Sequence, residues 1–375
     1  MLGFEHAHDS CYYKYHAASP LIAQLLNLQY VISDDPVPGY HCISENLPEP
    51  QKQDAEDSDA EDSDAEKIAA AYESDYATYP GFCIAKDVPV AGQQDFQLMD
   101  VQNRLFRELT GIEDPYAVSY QPEISMIRDV QINENGQYQH VETDPIIDDS
   151  IVLHPTVSYK LKTEKDGIWY CSLNNNLQKT LDEQKPLSLA RLTSLVEDEE
   201  RAMYNFGTDF QVQQFVQSIG YVEAGQTIEV KVGFLSETEV DYRITLYQID
   251  EDVFKRGYEI LTRNPFTVTE FADSRLTGTV HADEDSLLYL SIPYDKGWKA
   301  EVDGAPAEIQ PVLDAMTGIP LKAGDHTVKL RFIPRGLIAG VIVSTGALAG
   351  YIWLIVMQNR RRKGEKVKET AHADA

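Results

Sequence analysis

Two periodicities organise this chain. From Tyr116 onward most segments alternate apolar and polar residues, with breaks at Gly, Asn or Asp, as half-buried strands do. Ile124–Ile132, Ile151–Lys160, Ile228–Phe234 and Val240–Leu246 read this way, as do Leu276–Val280, Leu287–Ile292, Lys299–Val302 and Thr327–Ile333. In the last of these Val328, Leu330 and Phe332 point inward and Lys329 and Arg331 outward. Helical spacing occupies the gaps. Ser19 caps a short helix with Pro20 at its first position, ahead of a strand at Gln29–Ser33. Leu98, Val101, Leu105 and Leu109 share one helical face, which Gly111 terminates. Phe254, Tyr258 and Leu261 share another, behind a cap at Asp250 or Glu251 and ahead of Asn264-Pro265. Short strands with turn signals at these intervals predict a mainly β fold, one or two β-sandwich-like modules with a few short helices.

The pattern changes at Gly336–Met357, "GLIAGVIVSTGALAGYIWLIVM", which carries no charge. Its length as a helix is about 33 Å, enough for the roughly 30 Å hydrocarbon core of a bilayer, so a single C-terminal transmembrane helix is expected. Arg360, Arg361, Arg362, Lys363, Lys366 and Lys368 follow it. They predict a cytoplasmic tail and an extracytoplasmic location for residues 1–335. Gly336 and Gly340 stand four apart, Ser344 extends that stripe, and Gly346 and Gly350 make a second one, both suited to close helix packing.

Charge narrows the partners. Asp and Glu number 61 against 32 Lys and Arg, a formal net charge of -29, so nucleic acid and anionic lipid headgroups are both unsuitable partners for the surface as a whole. Five-residue repetition concentrates part of this charge in "DAEDSDAEDSDAE", Asp54–Glu66. Its two DSD triplets, Asp57–Asp59 and Asp62–Asp64, match the DxD of nucleotide-sugar transferases only because the repeat generates them. The stretch is read as a solvated linker or insertion. Cys11, Cys42, Cys83 and Cys171 are widely scattered and form no CxxC pair, which excludes a zinc ribbon or a thioredoxin-type motif. His6, His8, Cys11 and His16 match no standard zinc spacing, so no metal and no cofactor is assigned.

These signals divide the chain into an N-terminal α/β part (1–45), an acidic segment (46–80), a helix plus β-rich module (81–225), a C-terminal β-sandwich (226–335), the membrane helix (336–357) and a basic tail (358–375).

The most distinctive text is "LSIPYDKGWKAEVDGAPAEI" followed by "GIPLKAGDHTVKLRFIPRGLIAG". Gly297, Asp303, Gly304 and Gly324 read as turn positions, with Asp303-Gly304 a tight hairpin signal. Tyr294, Asp295, Lys296 and Trp298 are either sheet architecture or a saccharide-stacking surface. Together with "SPLIAQLLNLQYVIS" and "VQNRLFRELTG", this text resembles the YfhO family of bacterial multi-pass membrane proteins. The resemblance implies a GT-C-type glycosyltransferase that takes a polyprenyl-phosphate sugar and decorates cell-envelope glycopolymers such as lipoteichoic acid. In that architecture the catalytic carboxylate lies beside early membrane helices, so no catalytic residue is carried over. The expectation is a chain equivalent to the last two-fifths of such an enzyme, partnered by the bilayer and by upstream transmembrane helices. A self-contained, tail-anchored acidic β-sandwich binding protein at the cell surface is the alternative.

Overall fold

In the computed structural model the described residues are 4–6, 13–15, 19–33, 37, 39–44, 70–86, 98–132, 138–141, 146–148, 151–153, 155–175, 190–206, 214–234, 242–313 and 315–373. The acidic repeat Asp54–Glu66 and the side chains of His6, His8, Cys11 and His16 lie outside them. The protein is mainly β, and the described residues form four helices: α1 (Pro20–Leu25), α2 (Leu98–Thr110), α3 (Glu251–Leu261) and α4 (Leu337–Ala373).

Four antiparallel sheets form two sandwiches. Sheet A runs Glu199–Phe206, Ala190–Val196, Thr227–Phe234, Thr156–Lys162, Glu123–Arg128; sheet B runs Gln214–Val222, Gly167–Asn175, Tyr242–Ile249, Ala117–Tyr120. Their facing side chains, among them Val157, Trp169, Cys171, Leu192, Val230, Phe234 and Leu246, make one apolar core. Sheet C runs Gln310–Val312, Met316–Leu321, Ser286–Pro293, Gly81–Ala85; sheet D runs Thr267–Ala272, Arg275–Ala282, Gly324–Phe332, Trp298–Val302, Ala305–Ala307. Phe266, Leu276, Leu288, Leu290, Ile319, Val328 and Leu330 fill the space between C and D.

A third apolar layer joins the sandwiches. Helices α1, α2 and α3 lie between the outer faces of sheets B and C, and their apolar stripes meet Ile168, Tyr170, Tyr247 and Ile249 on one side and Phe82, Ile84, Leu287 and Tyr289 on the other. Sheets B and C are therefore covered on both faces, which explains why Ser286–Pro293 and Tyr242–Ile249 are buried at nearly consecutive positions rather than at every second one. Each large side chain buried in this layer contributes about 1.5–3 kcal/mol. Tyr289, Tyr116 and Tyr247 also satisfy their hydroxyls, donating to the Leu25 carbonyl (2.6 Å), Gln102 Oε1 (2.7 Å) and Asp100 Oδ1 (3.0 Å).

Strand pairing does not follow a division at residue 225. Thr227–Phe234 and Tyr242–Ile249 belong to the A/B sandwich, and Gly81–Ala85 pairs with Ser286–Pro293 in the other. The A/B sandwich is thus set inside the C/D one. Residues 223–226 are only a short turn that carries the chain from Gln214–Val222 in sheet B to Thr227–Phe234 in sheet A. Alternation locates strands but carries no information about which distant strand completes a ladder.

Helix α4 leaves the last strand of sheet D after four residues. Its apolar stretch, Ala339–Gln358, is long enough to cross a bilayer and is wholly unburied within the molecule. The segment expected as a separate basic tail continues the same helix as far as Ala373.

Candidate functional site

A cleft of about 660 Å³ opens where the central layer reaches the surface. Three groups of elements build it. The small sheet of Tyr30–Ser33, Ala70–Ser74 and Tyr40–Cys42 supplies Tyr40 and, just beyond a strand end, Asp75 and Tyr76. The edge strand of sheet B supplies Gly220 and Tyr221, with Ile168 and Ile249 behind them. The first turns of α3 supply Glu251, Phe254, Lys255, Tyr258 and Glu259.

Local sequence explains each placement. Asp250 accepts from the Val253 amide at 3.0 Å and so starts α3, which turns Phe254 and Tyr258 to the same side. One extra residue between Ser218 and Gly220 bulges the edge strand of sheet B, and such a bulge re-aims the residues after it. Tyr221 stands 57% exposed there. Tyr76 packs edge-on against Phe254 at 5.1 Å and against Tyr258 at 5.0 Å, and Tyr258 donates to the Ala77 carbonyl at 3.0 Å. The rings are thereby preorganised.

The electrostatics are acidic. Burial, then the carboxylates of Glu251 and Asp75, hold the Tyr76 phenol above its ordinary value, and burial pushes Tyr40 up to about 12. His41 Nδ1 lies 2.9 Å from Asp75 Oδ1. Three carboxylates (Asp75, Glu251, Glu259) face one ammonium (Lys255). Such a site suits hydroxyl or amine donors lying on aromatic faces, and it repels anions. Sequence marked Phe254 and Tyr258 as a helical face and Glu251 as a possible cap, but marked none of the lining residues as a site; the pointer there was an abundance of tyrosine, 21 against 3 tryptophans.

The sequence-selected residues lie elsewhere, at the corner where the chain crosses from sheet C to sheet D. Asp295 Oδ1 accepts from the Gly297 amide at 2.6 Å, and the Gly297 carbonyl accepts from Ile333 at 2.9 Å. A Cβ on Gly297 would sit 2.7 Å from the Ile333 oxygen, so the close approach of two backbones demands glycine. Trp298 is half-buried against the C/D core and packs on Phe332 at 5.0 Å; Tyr294 is also half-buried and Lys296 exposed. Asp303 and Gly304 both have positive φ (54° and 80°), as a two-residue I′ hairpin requires. Gly324 opens the last strand. Gly336 precedes α4 with φ 80° and its carbonyl accepts from Gly340, so it serves the turn into the helix. No atom approaches the Cβ positions of Gly340, Gly346 and Gly350, and Ser344 is exposed like them.

Cys42, Cys83 and Cys171 are free thiols. Among the described residues no group of three or more His, Cys, Asp or Glu is arranged to hold a metal ion.

The fold and cleft define a class: a double β-sandwich with an aromatic, acidic cleft, carried on a membrane-length helix. The chain belongs to the YfhO family, whose description is "Bacterial membrane protein YfhO" and whose profile matches residues 1–344. A curated relative, the uncharacterised protein YfhO of Bacillus subtilis (strain 168), is 31% identical over 90 residues. That alignment spans 24% of this chain and 10% of the relative. Among solved structures, the CBM35 module of Cellvibrio japonicus Abf62 aligns at 9% identity and TM-score 0.23, over 35% of this chain and 91% of its own. The mycobacterial arabinofuranosyltransferase AftD aligns at 9% identity and TM-score 0.19, over 60% and 24%. Scores this low carry no structural argument.

Proposed function

We propose that this chain is the membrane-proximal, non-catalytic outer part of a YfhO-type membrane glycosyltransferase, and that the tyrosine-lined cleft holds a neutral or amine-bearing stretch of its glycan acceptor. The cleft is the observation that carries this reading. Its volume of about 660 Å³ lies within the range of small-molecule sites and admits about two or three sugar rings. Phe254, Tyr76, Tyr221 and Tyr258 offer faces for sugar C–H groups, while Asp75, Glu251 and Glu259 accept from hydroxyl or ammonium groups. The donor would be a polyprenyl-phosphate sugar and the product a modified cell-envelope polymer such as lipoteichoic acid. Transfer itself needs a carboxylate at the membrane surface and a groove among membrane helices, and neither role is assigned to a residue here.

The test uses the full chain in phospholipid nanodiscs, with maltotriose, cellotriose, chitotriose and the corresponding glucosamine trimer as probes in ligand-observed NMR. At least one should bind, and Tyr221→Ala should weaken it by roughly three- to tenfold, the worth of one aromatic contact. Failure of all four, or an unchanged Tyr221→Ala affinity, overturns the cleft. Sugar transfer by this chain from a polyprenyl-phosphate donor overturns the non-catalytic assignment.

The cleft is built from this chain's own residues, which also favours the second reading, a tail-anchored binding protein. In a complete family member the substitution equivalent to Tyr221→Ala should lower polymer glycosylation if the first reading holds. It should leave glycosylation untouched under the second.

A further inference from the structure

The membrane-side end of sheet D carries an arrangement that the cleft does not explain. Arg331, on the strand that feeds α4, is directly opposite Arg275 on one neighbouring strand and Lys299 on the other. All three are exposed, and none is engaged in an ion pair among the described residues. Like charges directly opposite one another across strands are destabilising. The next outward row differs, since Lys329 there faces Glu301 and Thr277. A molecule with 61 acidic residues has thus left one three-strand row without a carboxylate, in the last outward-facing row before the membrane helix. Arg335, 62% exposed and 4.0 Å from the Asp295 carboxylate, and the exposed Lys296 lie between the row and the helix.

An aromatic side chain stands at the same end of the sheet. Phe271 is 81% exposed on the edge strand of sheet D, beside the hairpin Ala272–Arg275; it pairs with Leu276, so it projects from the face opposite the row and the two flank the sheet's membrane-side end. That hairpin is tied to the membrane end, because the Ser274 carbonyl accepts from the Phe332 amide at 2.9 Å. Only four residues separate Phe332 from Leu337 at the start of α4.

We propose that this end of sheet D is a lipid-docking surface: Arg275, Lys299 and Arg331 engage the phosphates of the bilayer that α4 spans, and Phe271 enters the interface. The partner follows from charge complementarity and from continuity with the helix. Phosphates relieve the repulsion of the row, and α4 holds the row within reach of them. Each basic group near a membrane surface contributes a further increment of attraction, and aromatic side chains favour the headgroup level. Docking would fix the sandwiches relative to the membrane rather than leave them to swing on the Ile333–Gly336 link. The inference is independent of any glycan in the cleft.

The test places a benzophenone amino acid at Phe271 in the full chain, reconstituted in vesicles of phosphatidylcholine and phosphatidylglycerol. Irradiation should yield lipid adducts readable by mass spectrometry. The triple substitution Arg275→Gln, Lys299→Gln, Arg331→Gln should cut the yield roughly fivefold or more. Vesicles of phosphate-free digalactosyl diglyceride should cut it similarly without any substitution, which keeps the test decisive if the triple variant misfolds. Absence of lipid adducts, adducts to another polypeptide instead, or equal yields in the two lipids would overturn the proposal.

Discussion

His326 stands between two acceptors. Its Nδ1 lies 2.7 Å from Asp303 Oδ2 and its Nε2 2.8 Å from the Lys322 carbonyl, so both contacts are hydrogen bonds only when both ring nitrogens carry protons. Burial alone would lower its pKa, but the bonds to Asp303 and Lys322 outweigh it and the pKa lies above 6.5. Asp303 is held below 3.8, first by the Thr327 amide and then by His326. The signs set a window. The histidine's contribution is complete below about pH 6.5 and is lost as pH rises through the folded pKa. The aspartate's is present above about pH 3.8 and is lost as pH falls through its lowered pKa. His326→Gln should therefore depress the melting temperature most near pH 5 and least above pH 8, as thermal melts across that range would show. An equal loss at both ends would mean that shape, rather than charge, holds the Asp303-Gly304 hairpin to its strand. At the nearby corner, Trp298→Ala should cost less than the ~3–5 kcal/mol of a fully buried aromatic, because the ring is only half-buried. Chemical denaturation measures it, and a change below about 0.5 kcal/mol would remove Trp298 from the scaffold.

Helices α2 and α3 meet at a point that local propensity misjudges. Gly257 lies in the middle of α3, where replacing glycine with alanine ordinarily gains about 1 kcal/mol. Here a Cβ would enter the space of the Phe106 ring, with Thr110 close behind. Gly257→Ala should therefore destabilise by about 1–3 kcal/mol in denaturant titrations, and any stabilisation would refute the close approach. Elements of this kind were legible before their packing was. The stripe Leu98, Val101, Leu105, Leu109 and the cap at Asp250 mark α2 and α3 because periodicity and capping are local properties. The Asp303-Gly304 hairpin was legible for the same reason, since two positive-φ residues in a row leave few alternatives. The cleft was not. Tyr40, Tyr76, Tyr221 and Tyr258 come from four separate segments, which long-range contacts bring together, among them the pairing of Gly81–Ala85 with a strand some 200 residues later and the helical layer between sheets B and C. The Arg275–Arg331–Lys299 row was hidden likewise, because alternation marks each residue as outward without revealing that the three are neighbours.

At the scale of the whole molecule, two sandwiches share a helical layer and lead into one helix of membrane length, and the charge flanking that helix bears on the side they take. Six basic residues follow its apolar stretch, Arg360, Arg361, Arg362, Lys363, Lys366 and Lys368. The opposite flank is basic too, at Arg331 and Arg335, which weakens a simple count of positive charge. If the flanking row serves lipid phosphates, its charge is explained by the surface it touches, and the six residues beyond the helix decide the orientation. The sandwiches should then lie outside the cytoplasm. Cys42 offers a native reporter, being an exposed free thiol. Cys171 is buried, which pushes its thiol up to about 12, and burial also raises that of Cys83, so both should react slowly. In a Cys11→Ser background, an impermeant maleimide applied to intact cells should label Cys42, while a cysteine substituted at Ala375 should require permeabilisation. The reverse pattern would invert the molecule and place the cleft where no cell-surface glycan could enter it.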